Sequence, residues 1–374
     1  YAMDISLLVG DAYVGDLDGG LHVVDISAPD APKEVGSFSV PGASLAVAVR
    51  PPYAFVATRL TGVKALDVSD LSMPREVGGL DTPGDARDVL LSGKYLYVAD
   101  WGTGVVVVDV SDPLAPRQVA SIETEGKAQA LYLDGDRLYV TEYRGQDAPD
   151  AVTILDVGVP ERPKRLGMYT PTDELPGRAR AWDVTVQGGL MYMLIGSSVS
   201  GYSYLLVVDV SNPASPSLVA RYKRPSIEWR TDWTEMDSLV VAGTYAYVGA
   251  HPFFGGPPTP TVGPGSPTPP PRTQGIVVLD ISNPKDIREV GRVESFVPTK
   301  MLPVTGRLFA IDNARVAMFD VSRPSRPRLI DLWDESNNIS SLQVNGEYVY
   351  VTRGYGGRYP SRLAGLMVLG EPSK

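Results

Sequence analysis

Gly104-Val-Val-Val-Val-Asp-Val-Ser-Asp-Pro-Leu-Ala-Pro-Arg-Gln-Val119 decides the fold, because its grammar recurs from one end of the chain to the other. An apolar run ends in Asp, Val or Ile follows, a Ser-polar-Pro turn comes next, and a basic residue opens a second short run. Further copies end at Asp25, Asp67, Asp156, Asp209, Asp280 and Asp320, and a worn last copy, Leu366-Met-Val-Leu-Gly370, has lost its Asp. Ahead of each copy sits a hairpin pattern. The clearest is Asp88-Val-Leu-Leu-Ser-Gly-Lys-Tyr-Leu-Tyr-Val-Ala-Asp100, two β-branched and aromatic runs around a Gly turn.

Each unit therefore supplies strands a and b from the hairpin, c from the Asp-ending run and d from the segment after the Pro turn. Four antiparallel strands every ~40 residues is the composition of a propeller blade. No segment shows a sustained helical period. The expected fold is all-β: one domain over 1–374, an eight-bladed β-propeller of four-stranded antiparallel blades. The blades run approximately 4–40, 41–82, 83–124, 125–170, 171–223, 224–294, 295–333 and 334–374, with a Pro-rich insertion at 252–272. Strand d is missing after Leu369, so the last blade is expected to have three strands or to be completed by another segment. Its rim would be an edge that must be covered or will recruit another chain.

A turn-forming role is the simplest account of the recurring Asp. Its carboxylate bonds nearby backbone N–H groups, and a turn needs it in every blade, whereas an active site needs it once.

The Val-Val-Val-Val-Asp-Val-Ser-Asp-Pro run and its relatives resemble the LVIVD-repeat proteins, a likeness that covers essentially the whole chain. The resemblance implies a β-propeller on a secreted or surface-anchored prokaryotic protein. It carries no agreed catalytic residues and transfers no site.

With 34 basic and 44 acidic residues among 374, the net charge of −10 argues against a nucleic-acid partner. Cysteine is absent and His22 and His251 are the only histidines, which removes thiolate chemistry and most imidazole chemistry. No run of about 18 apolar residues is present, so no membrane span is expected. The chain opens at Tyr1, as a processed or trimmed product would. No metal or cofactor is expected; the Asp-Gly-Asp stretch at Asp134–Asp136 is a hairpin turn and lacks a calcium-loop ligand set.

In a propeller, the d–a and b–c connections share one face, and all six long insertions fall on it. This face gathers Trp182, Trp229, Trp233, Tyr143, Tyr202, Tyr355 and Tyr359 with Arg178, Arg180, Arg230, Arg353 and Arg358, and Phe253 and Phe254 of the Pro-rich insert. Aromatics and Arg dominate the energetic centres of interfaces. The insert Pro252–Arg272 holds nine prolines, favours polyproline geometry and reads as a docking arm or solvated excursion. Asp88, Asp183, Ser238 and Ser341 begin equivalent a strands and should converge at the central channel mouth, near Arg87, Arg180, Asp237 and Lys300.

The function expected is a non-enzymatic extracellular or cell-surface interaction module. Its partners would be other copies of itself, assembled into an array or filament through the loop-rich face, the Pro-rich arm and the open blade edge. The alternatives are a lectin-like binder of cell-surface polysaccharide and a hydrolase with an acidic site at the channel mouth.

Overall fold

A strand whose successive residues are all apolar is satisfied only when both its faces are covered. In the computed structural model of the protein the described residues are 2–16, 20–28, 32–41, 43–145, 148–171, 179–197, 202–223, 234–252, 275–294, 296–312, 314–334, 339–345, 348–353 and 366–369. They form seven four-stranded antiparallel sheets and one three-stranded sheet, each with its strands in chain order. Blade 3 shows the plan: Ala86–Ser92 (a), Tyr95–Asp100 (b), Gly104–Asp109 (c) and Arg117–Ile122 (d). The a strands lie side by side in chain order around the centre, and Ile339–Asn345 returns beside Ala2–Leu8. The molecule is a β-propeller. Seven blades, not eight, have four strands; the last sheet, Ile339–Asn345, Tyr348–Arg353 and Leu366–Leu369, has three among the described residues.

The core is divided into seams between neighbouring blades. Val106 and Val108 pack toward blade 2, with Phe55, Ala57 and Val63, while Val105 and Val107 pack toward blade 4, with Leu138, Val140 and Leu155. Alternate side chains of one strand thus serve two seams, which is why the run is apolar throughout and does not alternate. Every seam also receives one buried aromatic from an equivalent place on a b strand: Tyr13, Phe55, Tyr97, Tyr139, Tyr192, Tyr247, Phe309 and Tyr350. Burying one such side chain is worth roughly 1.5–3 kcal/mol, against about 1 kcal/mol for a typical hydrogen bond. The seams therefore dominate the stability of the ring.

The repeated Asp is a turn clamp. Its Oδ1 accepts a hydrogen bond from the backbone N–H two residues on, at 2.8 Å from Ser27 to Asp25, 2.9 Å from Ser111 to Asp109 and 3.0 Å from Ser322 to Asp320. The residue between them is apolar and donates its own N–H to the a–b turn: Val68 to Pro52 O at 2.8 Å and Val110 to Lys94 O at 2.9 Å. One dipeptide thus ties the c–d turn to the a–b turn on the same face. Asp109 is deepest, its side chain 2% exposed with Lys94 and Arg117 on Oδ2.

A second repeated device links blades. The d strands of blades 1 to 6 each carry a bulge at an apolar residue, Val35, Val77, Val119, Leu166, Val219 or Val290, packed into the seam with the next blade. The residue after it is small because the next blade's Pro turn presses on it. A Cβ on Gly36 would lie 2.0 Å from Leu71 O, and one on Gly167 1.9 Å from Pro213 O. The Pro turn and the d-strand glycine are two halves of one contact between blades.

Candidate functional site

The two faces differ in what their connections carry. The a–b and c–d turns are short and locked to each other. The long connections, spanning 143–151, 169–179, 197–202, 223–234, 252–275 and 353–366, all join b to c or d to a. On that side Asp100 accepts from Gly102 N and Thr103 N of its own b–c turn, at 3.1 and 3.2 Å, and from Gly84 N of the d–a connection at 3.1 Å. This clamp fixes the backbone on which Trp101 stands, and Trp101 N donates to Asp85 O at 2.9 Å.

Around the centre, one register position of the a strands carries Asp4, Ala46, Asp88, Ala130, Asp183, Ser238, Lys300 and Ser341. The four residues expected at the channel mouth, Asp88, Asp183, Ser238 and Ser341, thus share one level. Their polar atoms reach across seams. Asp4 Oδ2 accepts from Val47 N at 3.0 Å, Asp88 Oδ2 from Leu131 N at 2.8 Å, and Asp183 Oδ2 from Leu239 N at 2.9 Å. Ser238 Oγ donates to Pro298 O, and Lys300 Nζ to Ser341 Oγ, both at 3.0 Å. Burial pushes the carboxyls of Asp4 and Asp88 above the ordinary range, and the Asp4 charge adds to the effect at Asp88. These acids staple alternate seams. Among the described residues no group of three His, Asp or Glu side chains is placed to hold a metal.

A different cluster lies on the b–c/d–a face of blades 3 to 5. Trp101 and Tyr143 are near-parallel, with centroids 5.4 Å apart and planes 14° apart. Arg87 stands 4.4 Å from the Trp101 ring centre, Arg180 stands 4.2 Å from that of Tyr143, and Lys127 Nζ is 5.2 Å from Trp101. Arg87 and Arg180 come from the a strands of blades 3 and 5, and Lys127 opens that of blade 4. Asp150, buried and raised by burial, accepts from Ala181 N at 3.1 Å and Arg144 N at 3.2 Å, so it fixes the backbone behind Arg180. Beside the pair opens a groove of about 910 Å³, walled by Trp101, Tyr143, Thr124, Lys127, Arg144 and Glu125, the last paired with Arg144 and Arg165.

Trp229, Arg230, Trp233, Phe253, Phe254, Tyr355, Arg358, Tyr359 and the Pro-rich insert beyond Pro252 lie outside the described residues. Trp182 belongs to the strand Ala179–Gln187, where its backbone forms the bulge between Ala181 and Asp183. Sequence reasoning missed Trp101, because it lies in a short connection, and Lys127, because it begins an ordinary strand. The available signal was Asp100-Trp-Gly-Thr-Gly104, an aromatic placed directly on a clamped turn.

The LVIVD repeat pattern matches residues 1–40, 41–82, 83–124, 178–224 and 272–295, more than half of the chain. The chain belongs to the LVIVD-repeat family. No curated protein matches the sequence. Among solved structures, Sqt1 of Saccharomyces cerevisiae is similar with a TM-score of 0.70 at 11% identity, covering 100% of this chain and 96% of that one. The computationally designed Ika8 protein gives 0.67 at 11% identity, covering 99% and 96%. BamB from Moraxella catarrhalis gives 0.60 at 14%, covering 93% and 92%. At such identities the likeness shows the propeller fold alone. A propeller of LVIVD repeats suggests an interaction scaffold.

Blade 7 departs from the other four-stranded blades. In its d strand, Arg328–Asp334, the bulged residue is Ile330, 44% exposed where its six counterparts are packed. Asp331 stands where those blades carry Gly or Ala. Leu329 and Leu332 are also exposed, so the outer strand of blade 7 presents an apolar edge beside the three-stranded sheet.

Proposed function

We propose that this LVIVD-repeat protein is a non-enzymatic interaction scaffold working outside the cell or on its surface. In this reading the ring counts eight blades, Ile339–Asn345, Tyr348–Arg353 and Leu366–Leu369 forming the eighth, and a second copy covers its rim. The observation that carries the proposal is Ile330. Its counterparts in six blades are held by the following blade, whereas Ile330 and its neighbours Leu329 and Leu332 face outward beside a sheet with three described strands. An apolar strand rim of this kind favours pairing with another chain. A head-to-tail contact would grow into rings or open polymers according to whether its rotation closes.

The ring of channel carboxylates supports a structural role over a hydrolytic one. Asp4, Asp88 and Asp183 each accept a backbone N–H of the next blade, which leaves them poorly placed to exchange protons with a substrate.

Sedimentation velocity over rising protein concentration tests the reading. The expected result is a mass that increases with concentration and returns to that of a single chain in Ile330→Lys with Leu332→Lys. A single-chain mass at every concentration overturns it.

A further inference from the structure

The cations around Trp101 and Tyr143 differ from the others on the same face. Arg144 and Arg165 share Glu125, at 3.0 and 2.8 Å, and Arg59 leans on Asp85 at 3.5 Å. Among the described residues Lys127 and Arg180 have no carboxylate within ion-pair distance. Arg87 touches Asp85 through one terminal nitrogen at 3.2 Å, while its Nε is buried without a partner. In a chain of net charge −10, three cations converge here on two rings from three successive blades. Arg180 Nη2 donates to the Tyr143 hydroxyl at 3.4 Å and Arg87 Nη2 to Asp85 Oδ2 at 3.2 Å, and each guanidinium carries further N–H groups beyond these contacts.

The rings are equally specific. A centroid separation of 5.4 Å at 14° is an offset stack, which leaves part of each ring face uncovered. The groove beside them has a volume of about 910 Å³, at the upper end of the range for ligand sites. Gly102, Gly126 and Gly145 keep its walls low, and Thr124 adds a hydroxyl, which donates to Gly126 O at 2.7 Å and retains its acceptor lone pairs. A comparable hollow of blade 2, lined by Thr61, Lys64, Glu76 and Asp81, has no ring, and its Lys64 is paired with Glu76 at 3.0 Å.

Flat rings for C–H faces, a hydroxyl partner and unspent cations match a ligand that carries apolar ring faces, hydroxyls and carboxylates together. An acidic peptide fits less well. The walls are turns, with no strand edge to extend and no long apolar trough for a helix. We propose that this groove binds a carboxylated polysaccharide, a uronate-containing chain, with Trp101 and Tyr143 against the sugar, Lys127 of the groove wall on a carboxylate, and Arg87 and Arg180, held on the two rings, adding positive charge beside it. The site does not depend on the assembly proposed above, since it lies on blades 3 to 5, away from the rim of blade 7.

Titration calorimetry of the full chain with oligogalacturonate tests it, with the fully methyl-esterified oligomer and poly-glutamate as comparisons. Binding of the acid sugar is expected, weakened at high salt. Loss of the ester's charges is expected to reduce affinity tenfold or more, because charged hydrogen bonds are worth about 1.5–3 kcal/mol each. Lys127→Gln, an exposed change that leaves melting unaltered, should weaken binding roughly tenfold, and Trp101→Ala should weaken it further. No binding, equal binding of the ester, or indifference to Lys127→Gln overturns the proposal. Poly-glutamate binding as tightly as the sugar assigns the groove to acidic protein segments and overturns it too.

Discussion

Gly167 in blade 4 and Asp331 in blade 7 stand at the same point of the same strand and meet opposite surroundings. Against Gly167 the next blade presses the backbone of Pro213, so close that a Cβ would sit 1.9 Å from its carbonyl oxygen. At Asp331 the side chain turns its Oδ1 onto Leu332 N at 2.8 Å, and the bulged neighbour Ile330 is exposed. The repeat's glycine is therefore a property of the contact between blades and not of the strand. Where no described turn makes the contact, at Asp331, the small residue is absent too. The comparison separates the part of the molecule committed to closing the ring from the part left for something else.

The sharpest way to break this account is a β-branched residue at each position. Gly167→Val should cost about 3 kcal/mol or more, since the obstacle is backbone and the Pro turn cannot yield without opening the blade 4–blade 5 seam. Chemical denaturation of Gly167→Val checks it; a loss below ~1 kcal/mol would mean the turn is not pressed in as described.

How much of this was legible in the sequence follows from distance along the chain. The Asp-Val-Ser-Asp-Pro turn is local: Asp109 and Ser111 are two residues apart, so carboxylate and N–H partner are read together. The hairpins and the four-strand unit are local in the same sense. Gly167 and Pro213 lie in different blades, and a repeat read one unit at a time does not pair them. The channel acids mislead for a related reason. Asp88 and Asp183 look like groups aimed at a ligand, because their acceptors' partners, Leu131 N and Leu239 N, are backbone atoms that every sequence possesses. On the b–c/d–a face, attention to long insertions led to Trp229, Trp233 and Tyr355, which lie outside the described residues, and to Tyr143, which ends a strand; its stacking partner Trp101 lies in a short turn that the same rule passes over.

Next in size is the turn clamp. Asp109→Ala removes the acceptor of Ser111 N and strands Lys94 and Arg117, at a cost of about 1–3 kcal/mol. Asp209→Ala should cost less, because Asp209 is a half-buried copy for which Ser211 is the described partner. Thermal melting of both variants checks the order; an equal effect would show that burial does not set the worth of the clamp.

Acid separates the two kinds of aspartate. The Ser69 hydroxyl and N–H, then Arg75, hold Asp67 at about 2, and Ser322 and Arg328 hold Asp320 at about 2, against an ordinary 3.8. For these the folded value is the lower, so they add stability above 3.8 that is lost as pH falls through about 2. Asp4 and Asp88 are raised by burial, so the folded chain takes up their protons first. Their contribution improves as pH falls toward 3.8 and worsens as it rises through their raised values. Melting temperature should therefore gain modestly on acidification to about pH 4 and drop steeply below about pH 3. Asp88→Asn should flatten the first limb and leave the second, and calorimetry of both proteins along the pH series reads the difference.

The smallest effect belongs to Asp331. Because no turn among the described residues presses on it, Asp331→Ser should change the stability of the isolated chain by no more than about 0.5 kcal/mol, the range of an ordinary surface substitution. Its influence should appear only in association, where the residue sits beside Ile330 on the proposed rim. If Asp331→Ser destabilises the dilute chain as much as a valine destabilises blade 4, the outer strand of blade 7 is already engaged within its own ring. Blade 7 would then be a seam like the others, with no surface spare for a second copy.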